Sequence, residues 1–392
     1  MRILYITGGF PFPLTSGYLR HYHFIKRLSQ YHEIVLVSTV GATFKQEHIG
    51  GVESFTERVI PIRNTLSGQR SIIGRIVKRL LILLGGNPAV LEMRREIKNL
   101  LQEEQFDLIL LSGEYNVGAI TGLNTPPIIT DMCDAKSDRV RRQIASKNSL
   151  FWKLRLQVKL WEMQGIERRI FRKSASILVA SDRDARIVPA KSREYSYVVP
   201  NGVDTKYWQR QSDALGHCTL IFTGAMHFPP NSDAALYLIN EILPGVRRII
   251  PDVQLLIVGH SPGEELIEVG KQPGVTITGF VDDMRPYLEQ ATVFISPLRF
   301  GSGIQNKLLE AMAMALPIIT SSIGGDGVSV NGTEPPFSIV DDTETFVRCT
   351  VDLLRQYDAN PTPAYRAREF VETHFSWDRS AQLLNEIIEA VK

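Results

Sequence analysis

The residues best equipped for chemistry cluster in Ser296-Pro-Leu-Arg-Phe-Gly-Ser-Gly-Ile-Gln-Asn-Lys-Leu-Leu-Glu-Ala-Met-Ala-Met-Ala-Leu-Pro-Ile-Ile-Thr320. The pattern predicts a strand end, a glycine-rich loop, a helix opening near Gln305 or Asn306, and a second buried strand. Gly301 and Gly303 allow close backbone approach. The helix start turns free N–H groups and a partial positive charge toward the loop. Arg299 and Lys307 add full positive charges there, and Glu310 follows about one turn further in. Such a set suits a diphosphate, with a carboxylate left over for sugar hydroxyls. A strand–helix packing turn with solvated charges would read the same way, and the loop alone does not separate the two.

Holding such a loop requires a sheet on each side of it. Short apolar runs alternate with helical patterns along the whole chain. Ile3–Thr7, Glu33–Ser38, Leu108–Ser112, Ile128–Asp131, Ile177–Ala180 and Tyr197–Val199 read as strands of a first half, with a helix over Arg20–Gln30. Val199-Pro-Asn-Gly-Val-Asp204 is a turn-rich boundary. The pattern restarts with Thr219–Phe222, Leu255–Val258, Val275–Thr278, Val293–Ser296, Pro317–Thr320 and Phe337–Val340. Strands apolar throughout and separated by helices imply parallel sheets covered on both faces. Sheets of this kind bind ligands at the carboxyl ends of their strands, and two in series share a cleft. The expected division is 1–198, 199–376, and a final helix at 377–392 that completes the first domain. A length of 392 residues agrees with two domains.

Composition narrows the setting. Cys133, Cys218 and Cys349 lie far apart without metal-ligand spacing. They argue against a disulfide framework and for a reducing, cytoplasmic location. The opening Met-Arg-Ile-Leu-Tyr-Ile-Thr runs into Gly-Gly-Phe-Pro-Phe-Pro, so it reads as a buried strand rather than a signal peptide. No apolar run reaches the ~18–20 residues of a membrane span. Residues 1–200 hold 30 Lys and Arg against 18 Asp and Glu, leaving 14 against 24 for the remainder. Neither zinc-finger spacing nor an aromatic RNA-binding signature accompanies the basic half, so nucleic acid is not the expected partner. Arg70–Leu84 and Lys136–Lys173 interleave cations with large apolar residues. Both predict helices able to rest peripherally on an anionic membrane, or ordinary core-facing helices with charged outer faces.

The order of motifs is more specific than any one of them. A glycine-bearing loop, Gly8 to Gly17, follows the first strand. Val-Pro-Asn-Gly-Val-Asp comes next, then Phe-Thr-Gly224-Ala-Met, Leu-Leu-Ile-Val-Gly259, Val-Thr-Ile-Thr-Gly279-Phe-Val-Asp-Asp, Leu-Leu-Glu310-Ala-Met-Ala, and Phe375-Ser-Trp before the last helix. This succession resembles the retaining GT-B glycosyltransferases of the glycosyl transferases group 1 superfamily, in the form found in bacterial polysaccharide and glycolipid assembly. The resemblance covers nearly the whole chain. It implies an α/β protein of two Rossmann-like, doubly wound domains. The amino-terminal domain would bind an acceptor, glycan or lipid-linked, and the carboxyl-terminal domain a nucleotide-diphosphate sugar. No metal or other cofactor would be required.

Three departures stand out against the family pattern. Ser302 occupies the place of a first glutamate, so its contribution would fall to the Gly303, Ile304 and Gln305 backbone. Ala225 stands where an arginine is usual, which leaves Arg299 and Lys307 to offset diphosphate charge as the leaving group departs. Asp131-Met-Cys133-Asp134 replaces a segment that often holds a histidine, with Cys133 nearest in register.

The same resemblance sets the remaining roles as expectations. Glu310 accepts from two ribose hydroxyls. Asn306 opens the helix beside the donor. Val281 lies in the loop that holds the base in related enzymes. Asn231 caps a helix and meets the donor. Gly17 brings backbone to a phosphate. Asp131 and Asp134 orient an acceptor hydroxyl or stabilise positive charge on the sugar ring, although Asp134 also suits a helix cap. Glu114 and Tyr115 line the acceptor pocket. His21 and His23 do not share a helix face and carry no assigned role. Two alternatives stay open: a nucleotide-sugar epimerase on the same fold, and a nucleotide-sugar-binding partner subunit without catalysis.

Overall fold

The protein is described here from a computed structural model covering residues 1–14, 18–64, 88–133, 136–145, 149–212, 217–301, 303–330, 332–359 and 364–391. Two all-parallel sheets organise the chain. The first contains β1 (Arg2–Thr7), β2 (Glu33–Val40), β3 (Arg58–Arg63), β4 (Leu108–Ser112), β5 (Ile128–Cys133), β6 (Ser176–Val179) and β7 (Ser196–Val198), in the order β3-β2-β1-β4-β5-β6-β7. The second contains β8 (Thr219–Thr223), β9 (Gln254–Val258), β10 (Val275–Ile277), β11 (Val293–Ser296), β12 (Ile318–Thr320) and β13 (Ser338–Ile339), in the order β10-β9-β8-β11-β12-β13. The strand order reverses between β1 and β4 in one sheet and between β8 and β11 in the other. Crevices outside the carboxyl ends of parallel strands open at such reversals.

The strands form because their side chains are apolar on both faces. Ile3, Leu4, Tyr5 and Ile6 of β1 are fully buried, with Leu4 and Ile6 in one core cluster and Ile3 and Tyr5 in another. Burying each such side chain contributes about 1.5–3 kcal/mol. The exception is β3, which the sequence pattern misses. Arg58, Pro61 and Arg63 break its apolar run, and its place at the sheet edge, paired only to β2, tolerates them.

Helix Trp377–Ala390 returns to the first sheet. Its Trp377, Leu384, Ile387 and Ile388 join the core made by Ile3, Tyr5, Phe24 and Leu28, and Arg27 pairs with Asp378 at 2.7 Å. Gly202 in the connection between the sheets sits under this crossing, where an added Cβ would meet the Trp377 backbone nitrogen at 2.4 Å. The expected basic segment at 136–173 forms two packed helices, Lys136–Ala145 and Leu150–Lys173. Residues 70–84, also expected to be helical, lie outside the described residues. Among the described residues no helix is long and apolar enough to cross a membrane.

Candidate functional site

The carboxyl ends of both sheets face a common cleft of about 1100 Å³. Its second-sheet wall depends on two glycines. Gly224 follows β8 and Gly259 follows β9, and a Cβ on Gly259 would lie 1.8 Å from the Gly224 carbonyl oxygen. A Cβ on Gly224 would in turn meet Asn231 at 2.6 Å and Lys307 Nζ at 3.2 Å. Both glycines therefore let three chain segments close on one point.

That point is the Lys307 ammonium. Helix Asn306–Ala313 begins at the cleft with Lys307 in its first turn and Glu310 one turn on. Lys307 Nζ donates to Asn231 Oδ1 at 2.5 Å and lies 4.5 Å from the Phe222 ring centroid. Burial pushes Lys307 down to about 7, and the Glu310 charge opposes that fall. Burial pushes Glu310 up to about 7, and the Lys307 charge opposes that rise. Each group is thus poised to gain charge when an oppositely polarised ligand arrives. Ile304, Asn306 and Val281 also line this wall. Gly303 adopts φ +69, a left-handed conformation that turns the loop into the helix, and Gln305 occupies the N-cap position without a side-chain cap bond.

Arg299 does not join this group. It makes a two-point ion pair with Asp233, Nε to Oδ2 at 2.8 Å and Nη2 to Oδ1 at 2.7 Å, and lies over the Tyr237 ring. It is exposed and absent from the cleft lining. The expectation that Arg299 offsets charge in the cleft is therefore corrected: helix Pro229–Tyr237 captures its side chain on the outer side. Asn231 is likewise buried behind the wall, bonded to Lys307 and through Nδ2 to the Ala225 carbonyl at 3.1 Å. It holds the cation in place instead of meeting the cleft itself.

The first-sheet wall is built differently. Asp131, expected as an open carboxylate, is committed to Arg20. Arg20 Nε donates to Asp131 Oδ2 at 2.7 Å and Nη2 to Oδ1 at 3.2 Å, while the Cys133 amide also donates to Oδ1 at 3.1 Å. Arg20 Nη1 then donates to Asn201 Oδ1 at 2.9 Å, and Asn201 Nδ2 donates to Asn306 Oδ1 at 2.8 Å. A largely buried chain of polar groups thus runs from β5, through helix Leu19–Leu28 and the inter-sheet connection, to the helix that carries Lys307. This corrects the assignment of Asp131: its charge balances Arg20. Beside it, the β5–β6 register shifts between Asp131 and Cys133, and Cys133 adopts φ +59. A non-glycine residue in that region stores of order 1–3 kcal/mol and is held by the surrounding pairing.

Glu114 and Tyr115 do line the cleft. Glu114 is buried and accepts from Lys136 Nζ at 2.5 Å, and Tyr115 Oη reaches Met163 Sδ at 3.9 Å. His21 also reaches the cleft floor, with Nδ1 3.0 Å from Tyr5 Oη and Nε2 2.7 Å from Ser112 Oγ. Burial lowers it to about 4, so the ring is neutral at pH 7. His23 stacks on Trp377 at 4.4 Å and is lowered to about 4 by burial and by Arg27. Gly17, Asp134 and Ser302 lie outside the described residues.

Arg20, Asn201, Lys136, His260 and Phe280 are cleft residues that motif reading does not single out. One signal was available for Arg20. It sits four residues before Phe24 on the buried stripe of its helix, where a cation needs a partner. Among the described residues no group of three or more His, Cys, Asp or Glu is placed to hold a metal ion.

Residues 217–356 match the family model described as Glycosyl transferases group 1. An uncharacterised 44.6 kDa protein in the cps region of Klebsiella pneumoniae is 21% identical, with 95% of this chain and 96% of that one aligned. Phosphatidyl-myo-inositol mannosyltransferase of Mycobacterium tuberculosis is 29% identical over 41% of this chain and 44% of its own length. The crystal structure of Anabaena HepE in complex with UDP-glucose superposes with a TM-score of 0.68 at 12% identity, covering all of both chains. The two doubly wound domains around one cleft, and the superposition on HepE, show the GT-B fold. Within it, residues 217–356 are the part similar to the glycosyl transferases group 1 model.

Proposed function

We propose that the protein transfers a sugar from a nucleotide-diphosphate sugar to a hydroxyl of a glycan or lipid-linked acceptor, with retention of anomeric configuration. The observation that carries this reading is the Lys307–Glu310 pair, three residues apart at a helix start and turned into the cleft over Gly224. In this reading the helix N-terminus and Lys307 offset the diphosphate charge, with no metal ion required. Glu310 accepts from ribose hydroxyls, and the Val281 loop holds the base. The UDP-glucose bound by HepE and the mannosyl transfer in the mycobacterial relative's name support a nucleotide-sugar donor and a lipid-linked acceptor.

The engagement of two floor carboxylates supports retention without a carboxylate nucleophile. At the cleft floor Asp131 is tied to Arg20 and Glu114 to Lys136. Front-side transfer then fits: the bond from the anomeric carbon to the phosphate oxygen breaks as the bond to the acceptor oxygen forms on the same face. The acceptor proton passes to the departing phosphate oxygen. The protein contributes positioning and charge stabilisation.

The test is incubation with a panel of nucleotide sugars, with and without candidate acceptors. Acceptor-dependent nucleotide release supports transfer. An epimerised sugar, or binding without turnover, would assign the chain to one of the two alternative classes. A product of inverted configuration by NMR would remove the retaining mechanism while leaving transfer intact.

A further inference from the structure

Helix Leu150–Lys173 is apolar on two opposite faces. Leu160, Met163 and Ile170 form the buried one, with Leu160 and Met163 packed against Val140 of the preceding helix. On the other side Phe151, Leu154, Val158 and Trp161 are spaced i, i+3, i+7 and i+10, which places them in a single stripe. They are 70%, 62%, 64% and 65% exposed, and Leu150 at the same end is 72% exposed. An apolar stripe on the outer face of a surface helix is not explained by the fold, because the core is already served by the inner face.

The charges around the stripe identify what covers it. The helix carries Lys153, Arg155, Lys159, Arg168, Arg169, Arg172 and Lys173, against Glu162 and Glu167. Glu167 is buried and engaged by the Ser137 amide at 3.0 Å, which leaves Glu162 as the exposed acid of the helix. A two-fold pairing of this helix with a second copy would bring two strongly basic surfaces together. An anionic bilayer satisfies both features at once: apolar side chains enter the headgroup boundary while Lys and Arg reach phosphates.

We infer that the outer face of helix Leu150–Lys173 docks the protein on an anionic membrane surface, with Phe151, Leu154, Val158 and Trp161 inserted. The inner face touches Tyr115 through Met163, and Tyr115 lines the cleft, so one helix separates the bilayer from the cleft wall. The inference gives a lipid-linked acceptor a route to the proposed acceptor side. Docking stands on surface chemistry alone and does not depend on transfer.

Vesicle flotation at low salt tests it, with the full chain on phosphatidylcholine vesicles with and without phosphatidylglycerol. The expected result is binding only to the anionic vesicles, weakened by salt. A Phe151→Ser/Trp161→Ser variant is expected to lose it by about tenfold or more. An Arg168→Glu/Arg172→Glu variant is expected to lose it while keeping the stripe. Both variants should keep wild-type circular dichroism and wild-type donor binding in solution, which separates failed docking from failed transfer. Three outcomes overturn the inference: no binding to anionic vesicles, equal binding to neutral ones, or sedimentation velocity showing a dimer that the Phe151→Ser/Trp161→Ser variant splits.

Discussion

The two walls of the cleft are assembled on different principles. The second-sheet wall draws its charged pair from one short segment, Lys307 and Glu310, shaped by two glycines at strand ends. The first-sheet wall draws on side chains scattered along the chain: Arg20, Asp131, Asn201, Glu114 and Lys136. The former presents charge to a ligand. The latter neutralises its own charges pairwise and offers a shaped, polar but electrically balanced surface. In the proposed reading a diphosphate is met by one cation and a helix start, whereas a hydroxyl acceptor needs only orientation.

The largest expected effect breaks the first wall. Arg20→Met leaves the buried Asp131 carboxylate without its counter-ion and should cost about 3–5 kcal/mol of stability in denaturant unfolding. The double variant Arg20→Met/Asp131→Leu should recover much of that loss, because the pair is removed together. Additive losses would show that the two residues do not act as a unit.

Lys307→Met attacks the other wall, with the opposite signature. Transfer should fall by about 10²–10³-fold, as expected for removing one preorganised donor. Thermal stability should fall less than in Arg20→Met, since Lys307 lines the open cleft and burial already holds it near neutrality. A large stability loss with near-normal turnover would reverse the roles assigned to the two walls.

The pH profile sharpens the same contrast. Glu310 and Lys307 both titrate near 7. Lowering the pH through that value protonates Glu310 and, in the proposed reading, weakens its hold on ribose; raising it strips charge from Lys307. kcat/KM for the donor should therefore peak near neutrality and fall on both sides, with apparent values belonging to the pair. Glu310→Gln should flatten the acid limb and Lys307→Arg the alkaline limb. Substituting Cys133 or Glu114 should leave both limbs in place.

How much of this is legible in the sequence follows from the same distinction. The strands that flank the cleft are readable because they are apolar on both faces, and β3 escapes because an edge strand tolerates Arg58 and Pro61. The Lys307–Glu310 segment is readable because its geometry is local to one helix start. Asp131 is readable as a strand-end carboxylate, but its commitment to Arg20 is not, because the partner lies 111 residues away. Arg299 sits in the right segment, yet Asp233 on another helix decides where its side chain goes. Local pattern places backbone; long-range pairing decides which side chains are left for a ligand.

The smallest expected effect supplies the control. Arg299→Ala removes an ion pair that is half exposed and outside the cleft, so it should shift stability by less than about 1 kcal/mol and leave kcat/KM within about twofold.

Calorimetric titration of the nucleotide sugar that supports turnover, into Lys307→Met and Arg299→Ala in parallel, locates the diphosphate. Lys307→Met is predicted to weaken donor binding by about tenfold or more, with Arg299→Ala indistinguishable from wild type. Unchanged affinity in Lys307→Met, or a comparable loss in Arg299→Ala, would contradict the placement of the diphosphate on the Lys307 wall.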